Sequence, residues 1–164
     1  MENFDQKSIE MKYNNDHDTL GTMLEMQKEL QNHFQEKRKK NNPNFPDVNN
    51  MKTLGEIYDF INFSMMALQD EYREVVDALP GTHSFTQKER SALWKIWKSK
   101  NKEMRERKLS DLSPEELKDL KFEVCDMFHL FMNIMLAIGM TSKDMYECYM
   151  IKNIENKKRC SSDY

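Results

Sequence analysis

The chain has 164 residues, 38% apolar and 32% charged, a length that one hydrophobic core can organise. Its net charge of -3 argues against a protein that binds nucleic acid directly through a basic face. The chain has only four glycines and four prolines, which disfavours a hairpin-rich fold. Its three cysteines have no CxxC spacing, which disfavours a disulfide framework and a zinc site. We therefore predict an all-α cytoplasmic protein that does not enter a membrane.

The predicted elements begin after a polar, aperiodic segment. Residues 1–17 are expected to form a flexible tail, and residues 18–164 a single domain. A first helix is predicted from Asp18 or Thr19 to the basic run at 37–40, followed by turn residues over 41–50. A second helix is predicted over Leu54–Leu79, where a Pro-Gly pair ends it.

Three further helices are predicted in the second half of the chain. The third begins at a capping box of Thr86 and Glu89 and carries both tryptophans. The fourth begins at Ser113, with a proline in its first turn, and ends at Gly139. The fifth covers about residues 141–158. The sequence therefore predicts a bundle of four to five main helices.

The fourth helix carries acidic residues within an apolar run. Residues 122–138 are almost all apolar, so we expect this helix to be buried on most sides. The exceptions, Glu123, Asp126, His129 and Asn133, lie on one strip about 120° wide. Buried carboxylates need a positive partner, either Lys or Arg from another helix or a divalent cation, and the i,i+3 spacing favours the cation.

The second helix offers a matching pair of acids. Glu71 interrupts its apolar stripe and Glu74 follows one turn later. Oxygen ligands without cysteine favour Mg²⁺, which usually serves a phosphate substrate. A ferritin-like di-iron site is the alternative, with Asp126 and His129 as one half, but the second helix has no histidine partner. We therefore expect His129 to be a hydrogen-bonded core residue.

Polar residues on the first and last helices have two interpretations each. Gln27 lies on the apolar stripe of the first helix, with Gln31 four residues later, and a carboxamide there could bond the backbone or a base edge. Lys152, Asn156 and Arg159 share a face of the last helix. They either complement the helix dipole or bind phosphate and sugar.

Five segments resemble one known family in their order along the chain: MLEMQKELQ (23–31), DEYREVVDAL (70–79), SALWKIWK (91–98), LSPEELKDLKFEVCDMFHLFMNIMLAIGM (112–140) and YMIKNIENKKR (149–159). The chain resembles the dCTPase–dUTPases of T-even-type bacteriophages. These belong to the all-α nucleoside triphosphate pyrophosphatase superfamily, with the dimeric dUTPases and MazG-like proteins. The similarity runs from about Thr22 to the last residue.

The resemblance implies a homodimeric enzyme of the host cytoplasm. It would use Mg²⁺, or Mn²⁺ in its place, to hydrolyse dUTP and dCTP to the monophosphate and pyrophosphate, keeping deoxypyrimidine pools clean. Glu71 and Glu74 match the first acidic motif and Glu123 and Asp126 the second; these four are the expected metal-binding and catalytic residues, with Glu74 or Glu71 accepting the proton of water. The residues expected to bind substrate are Gln27, Gln31, Trp94, Lys98, Asn133, Lys152, Asn156, Arg159 and Tyr164.

The chain departs from the family pattern near its end. The family has Gln, Asp, a variable residue and Gly before the final Tyr, whereas this chain has Cys160, Ser161, Ser162 and Asp163 before Tyr164. Two other functions stay open at this point. One is a broader MazG-like pyrophosphatase, and the other is a helical dimerisation or adaptor module whose acids are salt-bridged.

Overall fold

A computed structural model describes residues 18–41 and 47–161. The predicted tail over 1–17, part of the turn segment and Tyr164 lie outside these residues. The described chain forms six α-helices and one 3₁₀ turn and no strand, which confirms the all-α prediction. The helices are α1 (Thr19–Arg38), α2 (Leu54–Ala78), α3 (Gln87–Arg90), α4 (Lys100–Glu106), α5 (Pro114–Ala137) and α6 (Ser142–Ser161), and the 3₁₀ turn is Leu109–Asp111.

Local sequence signals set the ends of the long helices. Asp18 caps α1 by accepting a hydrogen bond from the Gly21 amide at 2.8 Å. At the start of α5, the Glu116 amide donates to the Ser113 hydroxyl at 3.2 Å, and the Ser113 amide donates to the Glu116 carboxylate at 2.9 Å. This reciprocal pair is the predicted capping box. Gly139 follows α5 with a φ of 67°, a conformation that favours glycine and ends the helix.

The prediction of one helix carrying both tryptophans is wrong. The capping box of Thr86 and Glu89 is present, but α3 ends at Arg90 and residues 91–99 form turns. The Asn101 side chain donates to the carbonyls of Ala92 and Lys95, the second at 3.0 Å, and Arg105 donates to the Leu93 carbonyl at 3.2 Å. Because side chains satisfy these carbonyls, the backbone does not continue as a helix.

The described chain divides into two compact units. The first contains the residues up to Ile57 and from Met135 onward, and the second contains Tyr58–Ile134. In the first unit α1 contacts α6, and the Ser142 hydroxyl donates to Asp18. The second unit has a core that includes Phe60, Ala78, Met104, Leu120 and Met132. The acidic segments of α2 and α5 both belong to this second unit.

The expectation that α5 is buried on most sides is also wrong. Met132 and Met135 are buried, but Phe122, Val124 and Phe131 are 46%, 51% and 42% exposed. Burial therefore changes along the helix: its C-terminal end is buried at Met132, Asn133, Met135 and Ala137, whereas exposed residues predominate between Phe122 and Phe131.

The described helices do not individually meet the requirements for crossing a membrane. No single helix in this part of the chain is long and apolar enough, although α5 and Ser142–Arg159 of α6 satisfy the criterion as a bent pair, by length and composition only.

Candidate active site

Three carboxylates meet between α2 and α5 in the second unit. One oxygen each from Glu71, Glu123 and Asp126 lies within 4.8 Å of the other two. Glu71 and Glu123 are half-buried and Asp126 is exposed. We call these three residues the acidic cluster. Glu74, the fourth predicted acid, is exposed one turn along α2 and is not a member of the cluster.

Burial and mutual repulsion both disfavour the charged forms of the acidic cluster. Burial raises the pKa of Glu71, and the charges of Glu74 and Asp126 raise it further. Burial and the same two charges also raise the pKa of Glu123. Within the described residues, no Lys or Arg lies within 4.0 Å of these four carboxylates, so a salt-bridge network does not account for them. The cluster concentrates negative charge, and no Lys or Arg of the described residues pairs with it.

The acidic cluster has the chemistry that a hard divalent cation requires. All three donors are carboxylate oxygens, the ligands that Mg²⁺ prefers. Two oxygens on opposite sides of Mg²⁺ would be about 4.2 Å apart, since each Mg–O distance is about 2.1 Å. Because separations of up to 4.8 Å exceed this span, small side-chain movements would be needed to bring the three oxygens onto one shared ion. A bound cation would also offset the repulsion that raises the pKa of Glu71 and Glu123.

His129 lies outside the acidic cluster. Its side chain is half-buried, and its Nε2 lies 3.8 Å from the Cys125 sulfur, one turn earlier on α5. This contact gives His129 a polar neighbour, as the sequence predicts, but a half-buried residue beside an exposed cysteine does not belong to the core. It gives no support to a di-iron site, which would need the histidine beside the acids.

The Trp/Lys segment forms an exposed aromatic surface in the second unit. Trp94 and Trp97 meet edge to face, with ring centroids 5.4 Å apart, and are 64% and 68% exposed. Lys95 places its Nζ 5.1 Å from the centre of the Trp94 ring, and Lys98 is exposed. Exposed aromatic rings beside cations suit contacts with a base and a phosphate.

Two known proteins that are similar to this chain identify its family. The chain is 38% identical over 147 residues to a dCTP pyrophosphatase of Enterobacteria phage LZ5 and 33% identical over 147 residues to that of Enterobacteria phage T4. Each alignment covers 90% of this chain and 83% of the relative. This chain belongs to the phage dCTP pyrophosphatase family. The finding confirms the resemblance and the enzyme class, a nucleoside triphosphate pyrophosphohydrolase.

A further phage T4 protein, named DNA replication protein, is 33% identical over 136 residues, which are 83% of this chain and 33% of that relative. No family model matches the chain, and no solved structure does.

In this member of the dCTP pyrophosphatase family, α1 carries a row of buried glutamines in the first unit. Gln27 and Gln31 are 4% and 6% exposed, and Gln35 continues the row at 9%. Gln27 and Gln31 were predicted from the sequence and Gln35 was not, although the same spacing of four residues indicates it. Asn133, a predicted substrate contact in the second unit, is also buried.

The predicted phosphate-binding run lies on α6 in the first unit. Lys152 pairs with Glu155 at 2.8 Å, which raises the pKa of the lysine. Asn156 and Arg159 are exposed on the same helix, and Tyr164 lies outside the described residues. The structure thus brings together three of the four predicted acids, Glu71, Glu123 and Asp126. The other predicted site residues that it describes lie in one unit or the other, some buried and some exposed.

In this family member Glu116 is buried and ion-paired, which was not predicted from the sequence. The sequence identifies it only as part of a capping box, but its side chain is 2% exposed and faces Arg107 at 3.5 Å. Hydrogen bonds from the Ser113 amide and the Ser84 hydroxyl, with the charge of Arg107, lower its pKa to about 2. It is therefore a buried, ionised carboxylate, two helical turns before Glu123 on α5.

Proposed function

We propose that this chain hydrolyses dCTP and dUTP to the nucleoside monophosphate and pyrophosphate with Mg²⁺, and so limits these triphosphates in the deoxypyrimidine pool. The observation that supports the metal-dependent reaction is the acidic cluster without a described protein cation. The two relatives named dCTP pyrophosphatase support the substrate class. Mn²⁺, which also accepts carboxylate ligands, is proposed as a substitute ion.

Glu71, Glu123 and Asp126 would hold the metal. When bound, the ion supplies positive charge for the phosphate oxygens and lowers the pKa of water nearby. Glu74 stands outside the cluster, yet near enough for its charge to raise the pKa of Glu71 and Glu123. We therefore assign Glu74 as the general base, because a carboxylate that is not needed as a ligand stays available to accept the proton of the attacking water.

Base and phosphate recognition are assigned to the remaining residues that the sequence predicts to bind substrate. The buried carboxamide of Gln27 offers a donor and an acceptor, so by rotating it can match position 4 of cytosine or of uracil. Gln31 and Asn133 are likewise buried carboxamides, and each is proposed as a further substrate contact. Trp94 is proposed to stack on the nucleotide, and Lys98 is proposed to contact phosphate. Lys152, Asn156, Arg159 and Tyr164 are proposed to complete the phosphate and sugar contacts.

The active form is proposed to be a homodimer. Three exposed apolar residues of α5, Val124, Phe128 and Phe131, lie within about 60° of one another around the helix and form one apolar surface. A second copy would cover it, and the burial of large apolar side chains is the main stabilising contribution in obligate dimers. Light scattering at micromolar protein should give twice the 19.7 kDa chain mass. A fully active monomer would contradict this part of the proposal.

The decisive assay is pyrophosphate release from dCTP, dUTP, dTTP and UTP, each with Mg²⁺ and with a chelator. We expect turnover of dCTP and dUTP with Mg²⁺ and none with the chelator. Broad hydrolysis that includes purine triphosphates would instead support a MazG-like pyrophosphatase. Calorimetry that detects no Mg²⁺-dependent nucleotide binding would support the adaptor function.

A further inference from the structure

A polar cluster in the second unit connects the ends of the two acidic helices. One oxygen of the buried Glu116 carboxylate, on α5, accepts hydrogen bonds from the Ser84 amide at 3.1 Å and the Ser84 hydroxyl at 2.7 Å. Ser84 lies in the segment that directly follows α2. The other oxygen lies 3.5 Å from Arg107, which is 19% exposed. We call Ser84, Arg107 and Glu116 the anchor cluster.

Arg107 extends the anchor cluster to the end of α2. Its guanidinium donates to the Pro80 carbonyl at 2.5 Å and to the Asp111 carbonyl at 2.7 Å while it faces Glu116. Pro80 is two residues after the last residue of α2. One guanidinium therefore joins the C-terminal end of α2 to the first turn of α5, and its planar, forked shape suits several fixed acceptors at once.

The fit around Gly81 shows how tightly this connection is packed. Gly81 has a φ of 102°, which favours glycine. A Cβ atom there would come within 2.4 Å of both Arg107 Nη1 and Glu116 Oε1. A second bond lies one turn further along α5, where the Thr82 hydroxyl donates to Asp119 at 3.1 Å. The segment after α2 is therefore held to α5 at two successive turns.

The anchor cluster and the acidic cluster lie at matching positions on the two helices. Glu71 precedes the end of α2 at Ala78 by seven residues, and Glu123 follows Glu116 on α5 by seven residues. Seven residues of α-helix are about 10.5 Å. Because the anchor cluster fixes the ends of both helices, a slip of one helix along the other would separate the carboxylates of Glu71 and Glu123.

We propose that Glu116, acting through Arg107 and Ser84, is a positioning residue that sets the register of α2 against α5 and so brings the three carboxylates of the acidic cluster within chelating distance. The inference rests on the proposed metal-dependent function. A buried, ionised carboxylate with this many partners stabilises one arrangement of the segment, since any other loses the hydrogen bonds of Glu116 to Ser84 and of Arg107 to Pro80. Displacements of about 1 Å at a catalytic site are known to lower rates by about 100-fold.

The test compares Glu116→Gln with Glu115→Gln. Glu115 is the preceding residue of α5 and is exposed, so it is a matched control for the loss of one carboxylate. Mg²⁺ binding to each protein is measured by titration calorimetry at a temperature well below its unfolding midpoint, together with the Mg²⁺ concentration that gives half-maximal dCTP hydrolysis. Glu116→Gln should raise this concentration about 10-fold, and Glu115→Gln should leave it within about 2-fold of the unaltered protein.

The outcomes separate this inference from the proposed function. If the unaltered protein binds no Mg²⁺, the proposed function fails. If it binds Mg²⁺ and Glu116→Gln lowers only the melting temperature, with the half-saturating Mg²⁺ concentration unchanged, Glu116 has a purely structural role and the positioning proposal is overturned. If Glu116→Gln does not fold, Ser84→Ala decides. It removes one hydrogen bond to Glu116 and should raise the Mg²⁺ concentration about 3-fold, whereas no change would overturn the proposal.

Discussion

Replacing Asp126 with asparagine tests the metal site, because the substitution keeps the size of the side chain and removes one charge. Asp126 contributes one oxygen to a group of three within 4.8 Å. At that separation two unit charges repel by about 1 kcal/mol in bulk water and about 3 kcal/mol at an effective dielectric constant near 20. Since Asp126 is exposed, we use the lower value, about 1 kcal/mol for each of its two neighbours.

Without metal, Asp126→Asn should therefore stabilise the folded chain by about 1 to 2 kcal/mol. For a protein of this length, each kcal/mol corresponds to an increase of about 2–4 °C in melting temperature. With Mg²⁺, the variant should lose at least about 100-fold in dCTP hydrolysis, because a ligand charge that holds the ion is missing. The substitution thus raises stability and lowers activity.

Two measurements on one variant check this reasoning, the thermal unfolding of the metal-free protein and the Mg²⁺-dependent release of pyrophosphate from dCTP. Asp59→Asn, which alters an exposed acid on α2, is the control and should change neither. A salt-bridged Asp126 would behave in the opposite way, because loss of an exposed ion pair costs stability, by up to about 1 kcal/mol. Lower stability with near-normal turnover would refute the metal-site assignment.

Three further predictions concern pH, base recognition and the anchor cluster. The Mg²⁺ affinity measured by calorimetry should still rise with pH above 4.5, the ordinary pKa of glutamate. The reason is that the pKa values of Glu71 and Glu123 are raised, so protons compete with the ion above that pH. An affinity that is already constant below pH 4.5 would contradict this. Gln27→Leu should lower kcat/KM for dCTP and dUTP by about 10-fold or more, and unchanged turnover of both would exclude base reading. Because the folded-state pKa of Glu116 is about 2, its stabilising effect should be complete above pH 4.5 and lost as pH falls towards 2. Acid unfolding curves should show this loss for the unaltered chain and not for Glu116→Gln.

The sequence by itself was sufficient for features that depend on neighbouring residues. The start of α5 follows from Ser113 and Glu116, whose backbone and side chains bond within one turn. The i,i+3 acids of α2 and α5 lie on one side of each helix because of the helical repeat alone. The phage family likewise follows from ordered segments that need no coordinates.

Tertiary structure decided what depends on residues far apart in sequence. It ended α3 at Arg90, because Asn101 and Arg105 donate hydrogen bonds to carbonyls that a continued helix would have used. It placed Glu74 outside the acidic cluster. Helical periodicity alone cannot show whether Glu74 belongs to the cluster, because it only places Glu74 on the same side of α2 as Glu71. It also gave Glu116 a second set of partners, Ser84 and Arg107, and left the apolar face of α5 exposed. Local sequence sets which hydrogen bonds a turn can close by itself, whereas burial and ion pairing depend on which distant side chains the fold brings into contact.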